Sequence, residues 1–220
     1  VRLLLASGSA HKVVELRRIL HAEKVSVEVL GLTDVDAYPE PVENGATFEE
    51  NALIKARAGF AVTGIPTLAD DSGIEVDVLN KMPGVRSARW AGVHAQDGDN
   101  LALLIRQIAD VEPARRTARF VCAMALVWAG GETVVRGVVE GSLAEEPRGE
   151  RGFGYDPLFL PDGETRTTAQ LSDDAKDAIS HRGRALRAMA PHIEALAAQS
   201  ECSAGADGEA PRASSEPQGR

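Results

Sequence analysis

The sequence predicts an α/β fold built on a mixed β-sheet, and three observations lead there. Segments of strand character alternate with segments of helical periodicity along most of the chain. Two runs rich in β-branched residues flank Gly130-Gly131 and read as an antiparallel hairpin, so the sheet cannot be all parallel. Hydrophobic residues make up 44% of 220, enough for a full core in one domain or a compact pair of lobes.

Leu3 to Ala6 is a short apolar run stopped by Ser7-Gly8-Ser9, the pattern of a buried strand entering a loop. Val13, Leu16, Ile19 and Leu20 are spaced three and four apart, which predicts a helix over Lys12 to Leu20. Lys24 to Leu30 reads as a second strand, and Asp34 to Gly45, rich in Pro, Asp and Glu, as loop. Thr47 to Val62 is Ala-rich and helical, with a stop at Gly64. A brief strand is expected at Thr67 to Asp70 and another at Ile74 to Leu79. Leu101, Leu104, Ile105 and Ile108 share one side of a helix over Asp99 to Ala109. Thr117 to Trp128 forms the first hairpin strand, and Thr133, Val135, Gly137 and Val139 alternate along the second. A final helix over Ser180 to Ala198 carries Leu186, Met189, Ile193 and Leu196 on one stripe, with Pro191 inside it as a potential kink.

Residues 199–220 hold no Val, Ile, Leu, Met or aromatic side chain and cannot offset their ordering entropy by burial. They are expected to be a disordered tail behind a single folded domain at 1–198. The net charge of −9 lies mainly on that body. An acidic balance excludes general nucleic-acid binding, which needs a basic surface. Two distant cysteines exclude a disulfide scaffold and a Cys-rich zinc site. No apolar run reaches the ~18 residues of a membrane span and no signal-peptide pattern opens the chain, so a cytoplasmic protein is expected, not a membrane one. Trp90, Trp128 and Cys122 read as core, and His21, His94 and His192 as surface.

Several segments could carry chemistry, each beside a plainer structural reading. Ser7-Gly8-Ser9-Ala10-His11-Lys12 joins a strand to a helix start, where free N–H groups and the helix dipole favour phosphate; a tight turn with Ser9 as N-cap explains it equally. It matches neither GxxxxGK[ST] nor GxGxxG. Thr47 and Glu50 fit a capping box, and Thr47, Asn51 and Lys55 share one polar helix face. In Leu-Ala-Asp70-Asp71-Ser72-Gly73, adjacent aspartates in a strand face opposite sides and so serve different roles, unless the strand has ended in an Asx-turn. One such Asp with a Glu from a nearby loop could hold Mg²⁺. Gly149 to Pro157 presents Phe153 and Tyr155 for stacking on a flat base, with Asp156 as an acceptor from ring N–H groups, or is a turn between strands. Lys176, His181 and Arg182 gather positive charge at a helix N-terminus, where cations oppose the dipole unless an anion binds.

Taken in order, ASGSAHKVVELRRIL, ENGATFEENALIKARA, LADDSGIEVDVLNKMPGVRSARWAG, GERGFGYDPLF and ISHRGRAL resemble the inosine triphosphate pyrophosphatase family from about Leu3 to Leu196. The resemblance implies an elongated mixed sheet flanked by helices, two lobes with the active-site cleft between them, and a homodimer. It also implies Mg²⁺-dependent hydrolysis of ITP, dITP and XTP to monophosphate and pyrophosphate. Carried over, Ser7, Gly8, Ser9, Ala10, His11 and Lys12 match the phosphate loop. Asp71 matches the general base and metal ligand, Glu43 a second metal carboxylate, and Ser72 a substrate contact. Phe153, Gly154, Tyr155 and Asp156 match the base-binding segment, and Lys176, His181 and Arg182 further substrate contacts. Asn51 and Lys55 fall on family positions near the polyphosphate, and Glu50 is a further candidate for the metal. Where the family commonly has Thr-Gly-Asn, this chain has Ser7-Gly8-Ser9, keeping a hydroxyl and losing an amide. The loop is also similar to that of Maf-like pyrophosphatases of the same fold, which is one alternative. A non-hydrolytic purine-nucleotide sensor is the other.

Overall fold

The computed structural model describes the backbone of residues 1–8 and 10–206, and the side chains of these residues except 10, 11, 15 and 200–206. Its elements in order are β1 (Arg2–Leu5), α1 (Ala10–Ala22), β2 (Glu28–Leu30), α2 (Phe48–Thr63), β3 (Thr67–Val76), β4 (Met82–Pro83), α3 (Asp97–Gln107), β5 (Thr117–Trp128), β6 (Gly131–Leu143), β7 (Phe159–Pro161), α4 (Asp173–Ile179) and α5 (His181–Ala206). The strands form one mixed sheet of order β2-β1-β3-β5-β6-β7, with β4 on β3. β1 runs parallel to β2 and β3, and the remaining pairs are antiparallel. The expected α/β class with a mixed sheet is what the chain adopts.

The hairpin β5–β6 is the centre of the sheet. Its register pairs Trp128 with Gly131, so the loop is Ala129-Gly130, one residue earlier than the Gly130-Gly131 read from sequence. α2 forms where its signals stand: the Thr47 hydroxyl accepts from the Glu50 N–H and Gly64 ends the helix in the left-handed region. Three expectations need correcting. β3 is one strand of ten residues rather than two short ones, because β5 pairs with it continuously from Thr67↔Val127 to Val76↔Ala118. Asp77–Leu79 is a 3-10 turn. β2 is limited to Glu28–Leu30, the residues that pair with Arg2–Leu4 of β1, and Lys24, at φ 58°, lies in a turn before it. α5 continues through Pro191 to Ala206, so the expected boundary at 198 falls inside a helix; residues 207–220 of the expected tail lie outside the described residues.

The two faces of β3 and β5 explain where a cleft can exist. On one face, Leu68, Met124 and Leu126 pack under α1 and α5 through Leu16, Ile19, Leu186 and Met189. Further along the same face, Ile74, Val76 and Phe120 belong to a second cluster with Leu104, Ile108 and Phe159. Between these cores that face of β3 carries Asp70 and Ser72, since every second residue shares a side. On the opposite face Ala69, Ala123 and Ala125 pack beneath Phe48, Ala52 and Ala56 of α2.

Gly137 of β6 lets α5 lie close to the sheet. A Cβ there would collide with the His181 carbonyl oxygen and the Ala185 nitrogen, both backbone atoms. Gly137→Ala is therefore expected to lower stability by about 1–3 kcal/mol through over-packing, read as a lower denaturant midpoint with unchanged m-value. An unchanged midpoint would contradict the close approach. Among the described residues no helix is long and apolar enough to cross a membrane.

Candidate active site

The site is built at an open edge of β3. β1 pairs with β3 only as far as Leu5↔Leu68, and β4 begins only at Glu75↔Pro83. The edge between them carries Asp70, Asp71 and Ser72. The Asx-turn reading is overturned, since these residues lie in extended strand; of that turn only one local bond survives, from the Ser72 N–H to Asp71 Oδ1 at 3.0 Å.

Asp70 and Asp71 do face opposite sides, and each is surrounded by a different set of groups. Asp70 Oδ2 receives Lys12 Nζ of α1 at 2.9 Å and Arg182 Nε of α5 at 3.4 Å. Arg182 Nη2 also donates to Ser72 Oγ at 3.1 Å. Asp70 and Arg182 are both 3% exposed. Burial by itself would raise the Asp70 pKa, but the charges of Lys12 and Arg182 outweigh it and hold the carboxyl well below the usual range. Asp70 was not among the residues carried over from the family; an aspartate inside an otherwise apolar strand, needing a buried partner, was the signal for it.

On the α2 side, Asp71 Oδ2 accepts from Asn51 Nδ2 at 3.0 Å, and Lys55 Nζ stands 3.9 Å from Asp71 Oδ1 and 3.1 Å from Glu43 Oε2. Burial, with Glu43 adding to it, pushes the Asp71 carboxyl up against the opposing pull of Lys55 and Asn51. Asn51 is fully buried and its Oδ1 accepts from the Gly45 N–H, so it ties the Glu43 loop to α2. Arg89 reaches the same loop through the Glu43 carbonyl oxygen at 3.4 Å. Glu50 is used otherwise: its carboxylate caps α2 by accepting from the Ala46 N–H at 2.6 Å. A cavity of about 500 Å³ opens here, lined by Ser7, Gly8, Lys12, Glu43 and Lys55 among others. Ser9 lies outside the described residues, as do the side chains of Ala10 and His11.

A second, smaller cavity of about 100 Å³ lies on the Asp70 side, lined by Ser72, Phe153, Tyr155, Asp156, His181 and Arg182. Phe153 is exposed, with Lys176 Nζ 5.3 Å and the Arg182 guanidinium carbon 5.9 Å from its ring centroid. His181 stacks on Phe120 at 4.8 Å and 17°; burial, then the neighbouring Arg182 and Lys176, hold its pKa well below the ordinary value, so it is neutral. Asp156 lines this cavity and also holds its own loop together. Its carboxylate points inward and receives the Phe153 N–H at 2.9 Å, the Thr168 hydroxyl at 2.9 Å and Lys176 Nζ at 2.6 Å. Gly152 at φ 77° permits this, since a Cβ would collide with that carboxylate. Two supports of the loop went unread in the sequence: Asp97 accepts from the Gly154 N–H at 2.9 Å, and the Tyr155 hydroxyl donates to the Ser87 carbonyl at 2.9 Å.

The cations expected to bind an anion are therefore each matched by a carboxylate: Lys12 and Arg182 by Asp70, Lys55 by Glu43 and Asp71, Lys176 by Asp156. Balanced in this way, the site attracts a polyphosphate weakly unless a further cation enters. The donor set suits a hard divalent ion. Two carboxylates already share one ammonium, and among the described residues no three His, Cys, Asp or Glu converge, so a cation would rest on two carboxylates completed by water and ligand oxygens.

The Ham1 family profile matches residues 3–192. The chain belongs to the Ham1 family. It is 59% identical over 202 residues to a dITP/XTP pyrophosphatase of Nocardia farcinica, covering 91% of this chain and 98% of the relative. Among solved structures, a nucleoside-triphosphatase, or dITP/XTP pyrophosphatase, of Mycobacterium abscessus is 53% identical with a TM-score of 0.72, covering 86% of this chain and 98% of that one. A HAM1 protein of Coxiella burnetii is 38% identical with a TM-score of 0.81, covering 88% and 98%. These Ham1 structures share the helix-flanked mixed sheet described above.

Proposed function

We propose that this Ham1-family chain hydrolyses the non-standard purine nucleoside triphosphates ITP, dITP and XTP to the monophosphate and pyrophosphate. The observation that carries the reading is the pair of aspartates on opposite faces of one open strand edge, between a cavity lined by the strand–helix loop and an aromatic cavity. The relatives named dITP/XTP pyrophosphatase, at up to 59% identity over nearly their whole length, support it.

In this reading the base enters the aromatic cavity and stacks on Phe153, held by Gly154 and Tyr155. The neutral His181 offers one ring N–H, and Arg182 its guanidinium, as donors toward a 6-keto oxygen. The triphosphate runs past Ser72 and Arg182 to Ser7, Gly8 and Lys12, with Lys176 behind the base loop. Asp71 and Glu43 would hold Mg²⁺, which when bound offsets the carboxylates and neutralises charge on the phosphate oxygens. Asp71, its pKa raised by burial, accepts a proton from the water that attacks the α-phosphorus. Asn51 and Lys55 orient that carboxylate. The protein acts in the cytoplasm as a homodimer, with no nucleic acid polymer or membrane as partner.

A panel of nucleoside triphosphates, with and without Mg²⁺, assayed separately for pyrophosphate and phosphate, tests this. Magnesium-dependent pyrophosphate release confined to ITP, dITP and XTP is the expected result. Equal activity on dATP and dITP would refute the 6-keto preference, turnover favouring dTTP or UTP would point to the Maf-like alternative, and binding without product to a sensor.

A further inference from the structure

The larger cavity has a second wall that the proposed reaction leaves unused. Besides Ser7, Gly8 and Lys12, it is lined by Leu32, Ala37, Tyr38 and Pro41. Pyrophosphate is wholly polar and strongly hydrated, gains nothing from hydrocarbon, and would desolvate its oxygens against such a wall. At about 500 Å³ the cavity lies within the range of sites that bind drug-sized organic molecules, which combine apolar walls with a few polar groups. In the proposed pose the phosphates run to Ser7, Gly8 and Lys12, and the same cavity is lined by Leu32, Ala37, Tyr38 and Pro41.

Charge leads the same way. Glu40 and Glu43 both line this cavity, and Lys12 and Lys55 are already paired with carboxylates. Among the described residues Glu40 is the one lining charge without an ion pair, and beside it the end of the chain is received better when an ester has removed one charge from the terminal phosphate. In-line attack at the α-phosphorus requires nothing of that distant oxygen.

From this we infer that the substrate class includes nucleoside triphosphates whose terminal phosphate carries an aryl or nucleosyl ester, the organic group lying on the wall of Leu32, Ala37, Tyr38 and Pro41; the inference rests on the proposed pyrophosphatase reaction. In the step, the water oxygen bonds to the α-phosphorus and the bond from that phosphorus to the α–β bridging oxygen breaks. The electron pair leaves on the esterified pyrophosphate, and the proton of water passes to Asp71 and then to solvent. A phenyl ester of ITP would give IMP and phenyl pyrophosphate, and a P1,P3-diinosine triphosphate would give IMP and IDP. No oxidant or co-reactant is needed.

The test measures steady-state hydrolysis of ITP, its γ-phenyl ester and diinosine triphosphate by the full chain with Mg²⁺, with both products of each identified. The esters are expected to be cleaved at the α-phosphorus with kcat within about threefold of ITP and with equal or lower KM. Ala37 is exposed, so Ala37→Trp narrows the cavity without disturbing the core. It should raise KM for the esters on the order of tenfold and leave that for ITP within about twofold. Cleavage of ITP without cleavage of the esters would overturn the inference and leave the proposed function standing. So would an Ala37→Trp enzyme of unchanged melting temperature in which ITP and ester kinetics shift alike. Failure to cleave ITP itself would overturn the proposed function, and the inference with it.

Discussion

An Asp71→Asn protein is expected to release pyrophosphate from ITP about 10²–10⁴ times more slowly than the unchanged chain, the range lost with a general base. The substitution keeps shape and removes only charge and basicity. The groups that bond to or pair with Asp71 are donors: Asn51 Nδ2, the Ser72 N–H and, at 3.9 Å, Lys55. Asparagine supplies one acceptor oxygen in place of two, so its amide nitrogen must face another donor. Asn51 cannot turn to accept without giving up the Gly45 N–H that it binds through Oδ1. A small loss of stability and local rearrangement of the Glu43 loop should accompany the fall in rate. The loss of the second carboxylate would also weaken a divalent cation, so the Mg²⁺ concentration for half-maximal residual activity should rise. Turnover within about tenfold of the unchanged chain at saturating Mg²⁺ would remove Asp71 from the catalytic role.

How far this site could be read from the sequence differs between residue types and pairings. Elements specified locally were legible: α2 starts at its Thr47 cap and stops at Gly64, and β5 spans the β-branched run Thr117–Trp128. Strand β3 was misread because Asp-Asp-Ser-Gly carries every local mark of a break. What keeps it extended is non-local, a ladder of ten pairs with β5 and the burial of Asp70 between Lys12 and Arg182, 58 and 112 residues away in sequence. The same limit applies to the chemistry. Spacing and resemblance brought Lys12, Lys55, Lys176 and Arg182 forward as free positive charge, whereas folding gives each a carboxylate. Asp156 looked like a base-edge acceptor because its sequence neighbours are Phe153 and Tyr155. It also organises its own loop through Thr168 and Lys176, residues whose approach no local pattern announces. Glu50 was legible both ways; half of the expected capping box forms, Thr47 accepting from the Glu50 N–H, while the Glu50 carboxylate takes the Ala46 N–H, one residue before the cap.

The buried pairing of Asp70 leads to the largest expected effect on stability. Asp70→Ala takes the Asp70 carboxylate away from Arg182, 3% exposed, and from the largely buried Lys12. Breaking a buried ion pair by removing one partner costs about 3–5 kcal/mol, a large share of the ~5–15 kcal/mol that stabilises a typical domain. In a chain of this size that corresponds to a fall in Tm of about 6–20 °C. Since Lys12 lines the larger cavity and Arg182 the smaller, an anion bound beside them should restore part of the loss. Pyrophosphate is accordingly expected to raise the melting temperature of Asp70→Ala more than that of the unchanged chain, although the variant is the less stable protein. The pH dependence has a definite sign. The folded-state pKa of Asp70 is depressed, because Lys12 and Arg182 together overcome its burial, so its contribution is present above the unfolded value of about 3.9 and lost as pH falls through the lower folded value. The difference in stability between the unchanged chain and Asp70→Asn should therefore be constant from pH 7 down to about 4 and shrink only below that, once allowance is made for the groups common to both. A difference that vanished already near pH 6, or an Asp70→Ala protein that melted with the unchanged chain and gained nothing from pyrophosphate, would mean that Lys12 and Arg182 do not depend on this carboxylate.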